Sequence, residues 1–295
     1  GAAKIKSLVT MVLIQMRRLI LMISLLAVIP QAFAAEPPLR FAPLPMVSQE
    51  AMVQEYIGPV RYLEEKTGRA IELVYTKDYK TLIERFRRDE IDLAYIGPLP
   101  YLMLSQGFDA ATPLVRFLEP DGRDSYTCAL VVFGNNPLPA GGMRGKRLAL
   151  PDPLSTCGDV GIGAILRQAD VPLRETQRSY LDRHDAVAMA VILDQADAGG
   201  LKTSVARKYA SLGLNVLTES PYMPGFVFLA NAHTVPAETR SLLREALLIL
   251  HPQENPVDAE RVRDWGGNMR HGTVPSSDTD FDTLRQQWAQ TKKDR

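Results

Sequence analysis

The stretch KRLALPDPLSTCGDVGIGAIL (146–166) runs from an apolar strand signal, through a turn, into a glycine-spaced apolar run that reads as a helix. Residues 146–151 predict a strand, and Gly158 opens a helix predicted over 158–169. Between them stand Ser155, Thr156 and Cys157, where a helix start exposes unpaired N–H groups and the positive end of its dipole. Hydroxyls and free amides in that place suit an oxyanion. A cysteine at a helix start has a lowered pKa and suits a nucleophile. Ser and Thr are also ordinary N-caps, so the pattern alone leaves three readings open. Asp159 must turn away from any anion held there, because two negative charges would oppose each other.

Upstream, LRFAP (39–43), AIELVY (70–75) and IDLAYI (91–96) predict strands. They alternate with helices over 49–66 and about 79–88, and with one starting at Pro98, a residue suited to a first turn. Gly68 stops the first helix, and Pro59 inside it predicts a kink or break. This βαβα order implies a parallel sheet covered by helices. Strands over 112–118 and 126–133 precede a Pro/Gly-rich loop, 135–145. Downstream, helices are predicted over 185–195, 201–212, 236–250, 257–265 and 279–290, and strands over 196–200, 215–219 and 226–231. The fold class is α/β with two lobes, 35–120 plus 225–295 and 121–224. The chain crosses between them near 116–127 and 217–227, and the cleft between lobes is the expected ligand site.

The 295 residues are 46% hydrophobic and 23% charged, an ordinary globular composition. A formal charge of zero argues against a nucleic-acid partner. Residues 1–15 precede a basic Met16-Arg17-Arg18, an apolar Leu19–Ile29 run and Ala32-Phe33-Ala34, which together read as a secretion signal cut after Ala34. The apolar run is too short to span a bilayer, and no later stretch is long enough, so no membrane span is expected in the mature chain. Removing 1–34 takes away Lys4, Lys6, Arg17 and Arg18, leaving 30 basic and 34 acidic residues, a net −4.

Cys128 and Cys157 are the only cysteines. In an oxidising compartment the pair is expected to be bridged, closing a loop of about 30 residues and stabilising by roughly 3 kcal/mol. Two free thiols would instead keep alive a cysteine-dependent enzyme with Cys157 as nucleophile and His184 as base. Glycines 158, 161 and 163 form G-x-x-G-x-G, which is not the dinucleotide fingerprint. His184, His233, His251 and His271 are scattered and the cysteines far apart, so no metal site and no cofactor are expected.

Five segments in order, KDYKTLIERFRRDEIDLAYIGPLPYLM, DSYTCALVV, MRGKRLALPDPLSTCG, RHDAVAMAVILDQADAG and LTESPYMPG, carry a family resemblance from about Leu39 to Trp288. The chain resembles the phosphate/phosphite/phosphonate-binding proteins of ABC importers, a branch of the type II periplasmic binding proteins. The resemblance implies two α/β lobes closing on a small anionic ligand like a hinged trap. It implies a periplasmic monomer without enzymatic activity, served by a permease and ATPase or, alternatively, feeding a sensor receptor or histidine kinase.

By the same resemblance Tyr79 offers a hydroxyl to the ligand, and Ser155, Thr156 and Cys157 match the head-group segment, with the amides of 157–159, Gly158 included. His184 matches a histidine that contacts the same oxygens. Tyr126 near the hinge and the Pro98–Tyr101 helix start complete the walls. Four positions depart from the pattern. Cys157 stands where Ser is usual. Ile96 stands where aminoalkylphosphonate binders carry Tyr. Gly225 and Phe226 stand where those binders place an acid for the ligand ammonium. A smaller anion, or a ligand with an apolar or different tail, is therefore expected in place of an amine-bearing phosphonate.

Overall fold

Alternating short apolar runs and helices assemble two sheets, each buried on both faces by helices. The computed structural model describes residues 36–294 apart from 47, 136 and 137, and three isolated positions, 11, 15 and 16, before them. The secretion signal expected over 1–34 and its cut after Ala34 lie outside the described residues. The chain divides into an N-terminal unit, Gly1–Pro37, and a large unit, Pro38–Arg295, which carries both sheets.

The large unit begins with β1 (Leu39–Pro43), α1 (Gln49–Thr67), β2 (Ile71–Leu73), α2 (Tyr79–Arg87), β3 (Leu93–Ile96), α3 (Pro98–Ser105) and β4 (Ala111–Phe117). Next come β5 (Ser125–Tyr126), β6 (Cys128–Phe133), β7 (Arg147–Leu150), α4 (Gly161–Gln168), β8 (Gln177–Tyr180), α5 (His184–Ile192), β9 (Ala198–Lys202), α6 (Thr203–Lys208) and β10 (Leu214–Glu219). The chain then returns through β11 (Met223–Pro224) to β12 (Val227–Asn231), α7 (Ala237–Leu248), α8 (Pro256–Val262), β13 (Thr273–Pro275) and α9 (Asp282–Asp294).

The first sheet has the order β13-β4-β12-β3-β1-β2. Its β1, β2 and β3 pair in parallel, with Phe41 opposite both Leu73 and Leu93. The later strand β12 enters antiparallel between β3 and β4. The sheet is therefore mixed, where the local βαβα pattern predicts a parallel one. All four residues of β3, LAYI, are buried, as suits a central strand covered on both faces. Phe41 meets the rings of Tyr56 and Phe228 edge-on, with centroids 6.0 and 5.5 Å away.

The second sheet has the order β10-β6-β9-β7-β8. The two-residue alternation of β6 sends Ala129 and Val131 into one layer with Val187 and Val191. Leu130 and Val132 face the other layer, with Leu148 and Ile162. Helix α4 lies directly on this sheet: a Cβ at Gly200 would stand 2.2 Å from Ile162. The two passages between the sheets pair with each other as the β5·β11 ribbon, Tyr126 opposite Met223.

Local details depart from the sequence expectation. Helix α1 continues through Pro59 instead of breaking. Proline removes the N–H that would bond the Glu55 carbonyl, and that carbonyl takes the Gly266 N–H instead, at 2.8 Å. The helix predicted from Gly158 starts at Gly161, because Thr156–Val160 form a wider, π-type turn in which Gly158 has φ −81° and ψ −122°. A disulfide joins Cys157 in that turn to Cys128 at the start of β6. Gly161 abuts it, and a Cβ there would lie 2.6 Å from Cys128 Sγ. The edge strands β8 and β13 were not predicted. No helix among the described residues is long and apolar enough to cross a membrane.

Candidate functional site

A cleft of about 770 Å³ lies between the two sheet systems, within the range that encloses whole organic ligands. Of the residues expected there, Tyr79, Tyr126, Ser155, Thr156, Cys157 and His184 line it. They arrive from different elements. Tyr79 is the first residue of α2, held in place by an Asp78 cap whose carboxylate accepts the Thr81 N–H at 2.7 Å. Ser155, Thr156 and Cys157 lead into the wide turn before α4, and His184 opens α5.

His184 is fixed by its neighbours. The backbone N–H of Lys202 donates to its Nδ1 at 3.0 Å, so the proton of the neutral ring belongs on Nε2. That nitrogen lies 3.5 Å from Ser155 Oγ. Burial first, and then the Lys202 charge, lower the His184 pKa to about 4. At neutral pH the ring is thus an uncharged donor at Nε2, beside a serine hydroxyl.

Thr156 accepts the Leu99 N–H at 3.1 Å through its hydroxyl. Leu99 belongs to the first turn of α3, whose own N-cap, Gly97, offers no side chain. A threonine from the second sheet system therefore caps a helix of the first. Burial raises the Tyr79 and Tyr126 pKa values far above the ordinary tyrosine range, so both keep their hydroxyl proton.

Asp159 is turned away from the cleft. Tyr180 donates to its Oδ1 at 2.7 Å, and Arg178 lies 3.5 Å from Oδ2. The negative charge beside the turn is thereby directed into its own pairings.

Four expectations need correction. Tyr101 does not face the cleft: its hydroxyl donates to Asp278 at 2.8 Å, its ring packs on Phe281, and it lines a separate smaller cavity. Pro98 is buried at the first position of α3, and it is Gly97 and Pro100, three residues apart on one side, that line the cleft. Gly158 is buried in the turn, where its N–H is spent on the Ser155 carbonyl at 2.9 Å. Cys157 is bonded to Cys128, as expected for the pair, so the donor role that the resemblance gives it fails and it has neither a thiol to donate nor a thiolate to attack. The nucleophile reading loses its nucleophile.

Other lining residues escaped the sequence reading: Tyr95, Lys202, Phe226, Trp265 and Asn268. Lys202 Nζ pairs with Glu119 Oε1 at 2.7 Å, and Asn268 donates to the same oxygen. Its ammonium lies 4.6 Å from the Tyr126 ring centroid and 5.2 Å from that of Phe226. Burial lowers the Lys202 pKa, with Glu119 opposing the shift. The rule that ligands gather at the carboxyl ends of strands would have pointed to Lys202, the last residue of β9. No sequence signal marks Asn268. Where Ile96 departs from the family pattern, the cleft still carries an aromatic wall, because Tyr95 lines it and accepts the Asn268 N–H at 3.3 Å.

A family profile described as "ABC transporter, phosphonate, periplasmic substrate-binding protein" matches residues 41–281. The chain belongs to this family. Among periplasmic substrate-binding proteins it is 25% identical to the phosphate-import protein PhnD of Mycolicibacterium smegmatis, over 87% of each chain. Its structure is similar to that of a binding-protein component of an ABC phosphonate transporter from Pseudomonas aeruginosa, with a TM-score of 0.74, 18% identity, and 88% and 87% of the two chains covered. It is also similar to a Prochlorococcus marinus protein solved with methylphosphonate, with a TM-score of 0.74, 15% identity, and 86% and 98% covered. The fold of this substrate-binding protein is accordingly the type II periplasmic one, the α/β two-lobed class expected from its strand and helix order.

Proposed function

We propose that this substrate-binding protein captures a phosphorus oxyanion in the cleft and passes it to the permease and ATPase of an ABC importer. The observation that carries the reading is the His184–Ser155 pair. A neutral imidazole, locked by the Lys202 N–H, presents Nε2–H beside a serine hydroxyl. Charge-assisted hydrogen bonds from such donors hold an oxyanion without requiring a full positive charge. Tyr79 and Thr156 supply further hydroxyls. The lobes are 35–120 with 225–295, and 121–224. Membership of the two sheets and the β5·β11 ribbon support that division. Closure would bring the Ser155–His184 side onto a ligand resting against Tyr79 and Tyr95.

A thermal-shift panel of phosphate, phosphite, methylphosphonate, 2-aminoethylphosphonate and sulfate tests the reading. A ligand at a hundredfold its Kd adds about 2.7 kcal/mol of stability, a clear rise in Tm. The expected result is a rise with at least one phosphorus oxyanion that is clearly reduced in Ser155→Ala and His184→Ala. A panel with no shift at all would remove the reading.

A further inference from the structure

The oxyanion donors account for part of the cleft and leave a buried cation unexplained. Lys202 is 9% exposed, lines the cleft, and takes no part in the head-group set through its side chain. An ammonium has three N–H donors. One goes to Glu119 Oε1, and the faces of Tyr126 and Phe226 cover two further sides. Aromatic faces stabilise a cation electrostatically but are weak hydrogen-bond acceptors. The ammonium therefore keeps donor capacity inside a cavity open to ligand.

Its position relative to the head-group end is also defined. Tyr126 carries the Lys202 ammonium on its ring, and the backbone N–H of the same lysine donates to His184 Nδ1 at 3.0 Å. One lysine residue thus connects the two. A ligand with a head group and a second charge a short linker away would reach both. The aromatic enclosure that could have received a cationic tail is already occupied by the protein's own cation. The one carboxylate bonded to that cation, Glu119, also accepts from Asn268. A further acid cannot be added at Gly225, where a Cβ would stand 2.7 Å from the Phe117 carbonyl oxygen and 2.9 Å from that of Asp124.

Resting on the oxyanion reading above, we infer that Lys202 determines specificity: it receives a second anionic group on the ligand, so the cleft selects a carboxylate-bearing phosphonate and rejects an ammonium-bearing one. Like charges brought together at a binding surface are strongly unfavourable, which sets the sign of the discrimination.

Isothermal titration of the purified protein with phosphonoacetate, methylphosphonate and 2-aminoethylphosphonate tests this. Phosphonoacetate should bind about tenfold or more tighter than methylphosphonate, with 2-aminoethylphosphonate weakest. In Lys202→Met the ratio of the first two Kd values should fall towards one. That variant leaves the Glu119 carboxylate buried without its cation, so Lys202→Met/Glu119→Gln, which removes both charges, is measured beside it. Equal binding of phosphonoacetate and methylphosphonate by the unaltered protein overturns the inference while leaving the oxyanion reading intact. So does a preference that persists in both variants. If none of the three binds, the oxyanion reading falls and this inference falls with it.

Discussion

The proposed head-group end of the cleft draws most of its donors from one short stretch, Ser155 and Thr156, joined by His184 only 29 residues from Ser155 and by Tyr79 from the start of α2. The cation end brings Glu119 together with Lys202 and Asn268, which lie 83 and 149 residues away from it along the chain. The first is shaped by local geometry: a strand, a wide turn, a helix start and a disulfide. The second exists only when both sheet systems and their connecting segments are in place. The two ends are therefore built by different parts of the chain, one local and one assembled. Perturbing the two ends should give separable effects.

The largest expected effect is on the local end. Replacing both cysteines, Cys128→Ala/Cys157→Ala, should cost about 3 kcal/mol, since the bridge closes a loop of intermediate length. Urea unfolding under oxidising conditions measures it, and reducing the unaltered protein should give the same lowered midpoint. A loss below about 1 kcal/mol would mean that the turn at 156–160 is held by packing and not by the bridge.

The contrast between the ends also explains what could be read in the sequence. Segments with strong periodicity and clear stops, such as Gln49–Thr67 before Gly68, fall where expected. The Ser155-Thr156-Cys157 run and His184 are legible because each sits at a helix start with a recognisable polar signature. Tyr101 misled because one helix start offers several side chains, and Asp278, far along the chain, decides which way this one turns. The strand β8, QRSY, was missed because an exposed polar edge strand has no apolar alternation to announce it. Lys202 and Asn268 are legible only in three dimensions, since their partners are fixed by long-range pairing.

Next in size is the pH dependence of stability through His184. Its folded pKa, about 4, lies below the ordinary value of 6.5. Between those values the unfolded chain binds the proton and the folded protein does not. Stability from this group is therefore whole above pH 6.5 and is lost as the pH falls towards 4, by at most about 3 kcal/mol. Urea midpoints at pH 7 and pH 4.5 should converge more closely in His184→Asn than in the unaltered protein. Equal slopes in the two would show that the histidine is not held neutral.

A smaller effect is expected from a single head-group donor. Ser155→Ala removes one hydrogen bond to a charged ligand, about 1.5 kcal/mol or roughly tenfold in Kd. Because Ser155 belongs to the local end, the loss should be similar for phosphonates with different tails. A loss confined to one tail would place Ser155 in the assembled end instead.

The smallest effect reaches the assembled end through Pro59. The carbonyl it frees, on Glu55, anchors the Gly266 N–H, and Gly266 lies in the segment 265–268 that lines the cleft. Pro59→Ala restores an N–H that competes for that carbonyl. The helix itself tolerates alanine better than proline, while the unfolded chain gains freedom and the buried ring is lost, so global stability should change by less than about 1 kcal/mol. The anchor should loosen nonetheless. Amide exchange at Gly266 should quicken, and affinity for a cleft ligand should weaken a few-fold. Gly266→Ala supplies a stronger version at the same contact, since its Cβ would stand 2.2 Å from the Glu55 Cβ. Unchanged Gly266 exchange in Pro59→Ala would show that the segment is positioned by Tyr95 and Glu119 through Asn268, and that the proline in α1 has no part in shaping the assembled end.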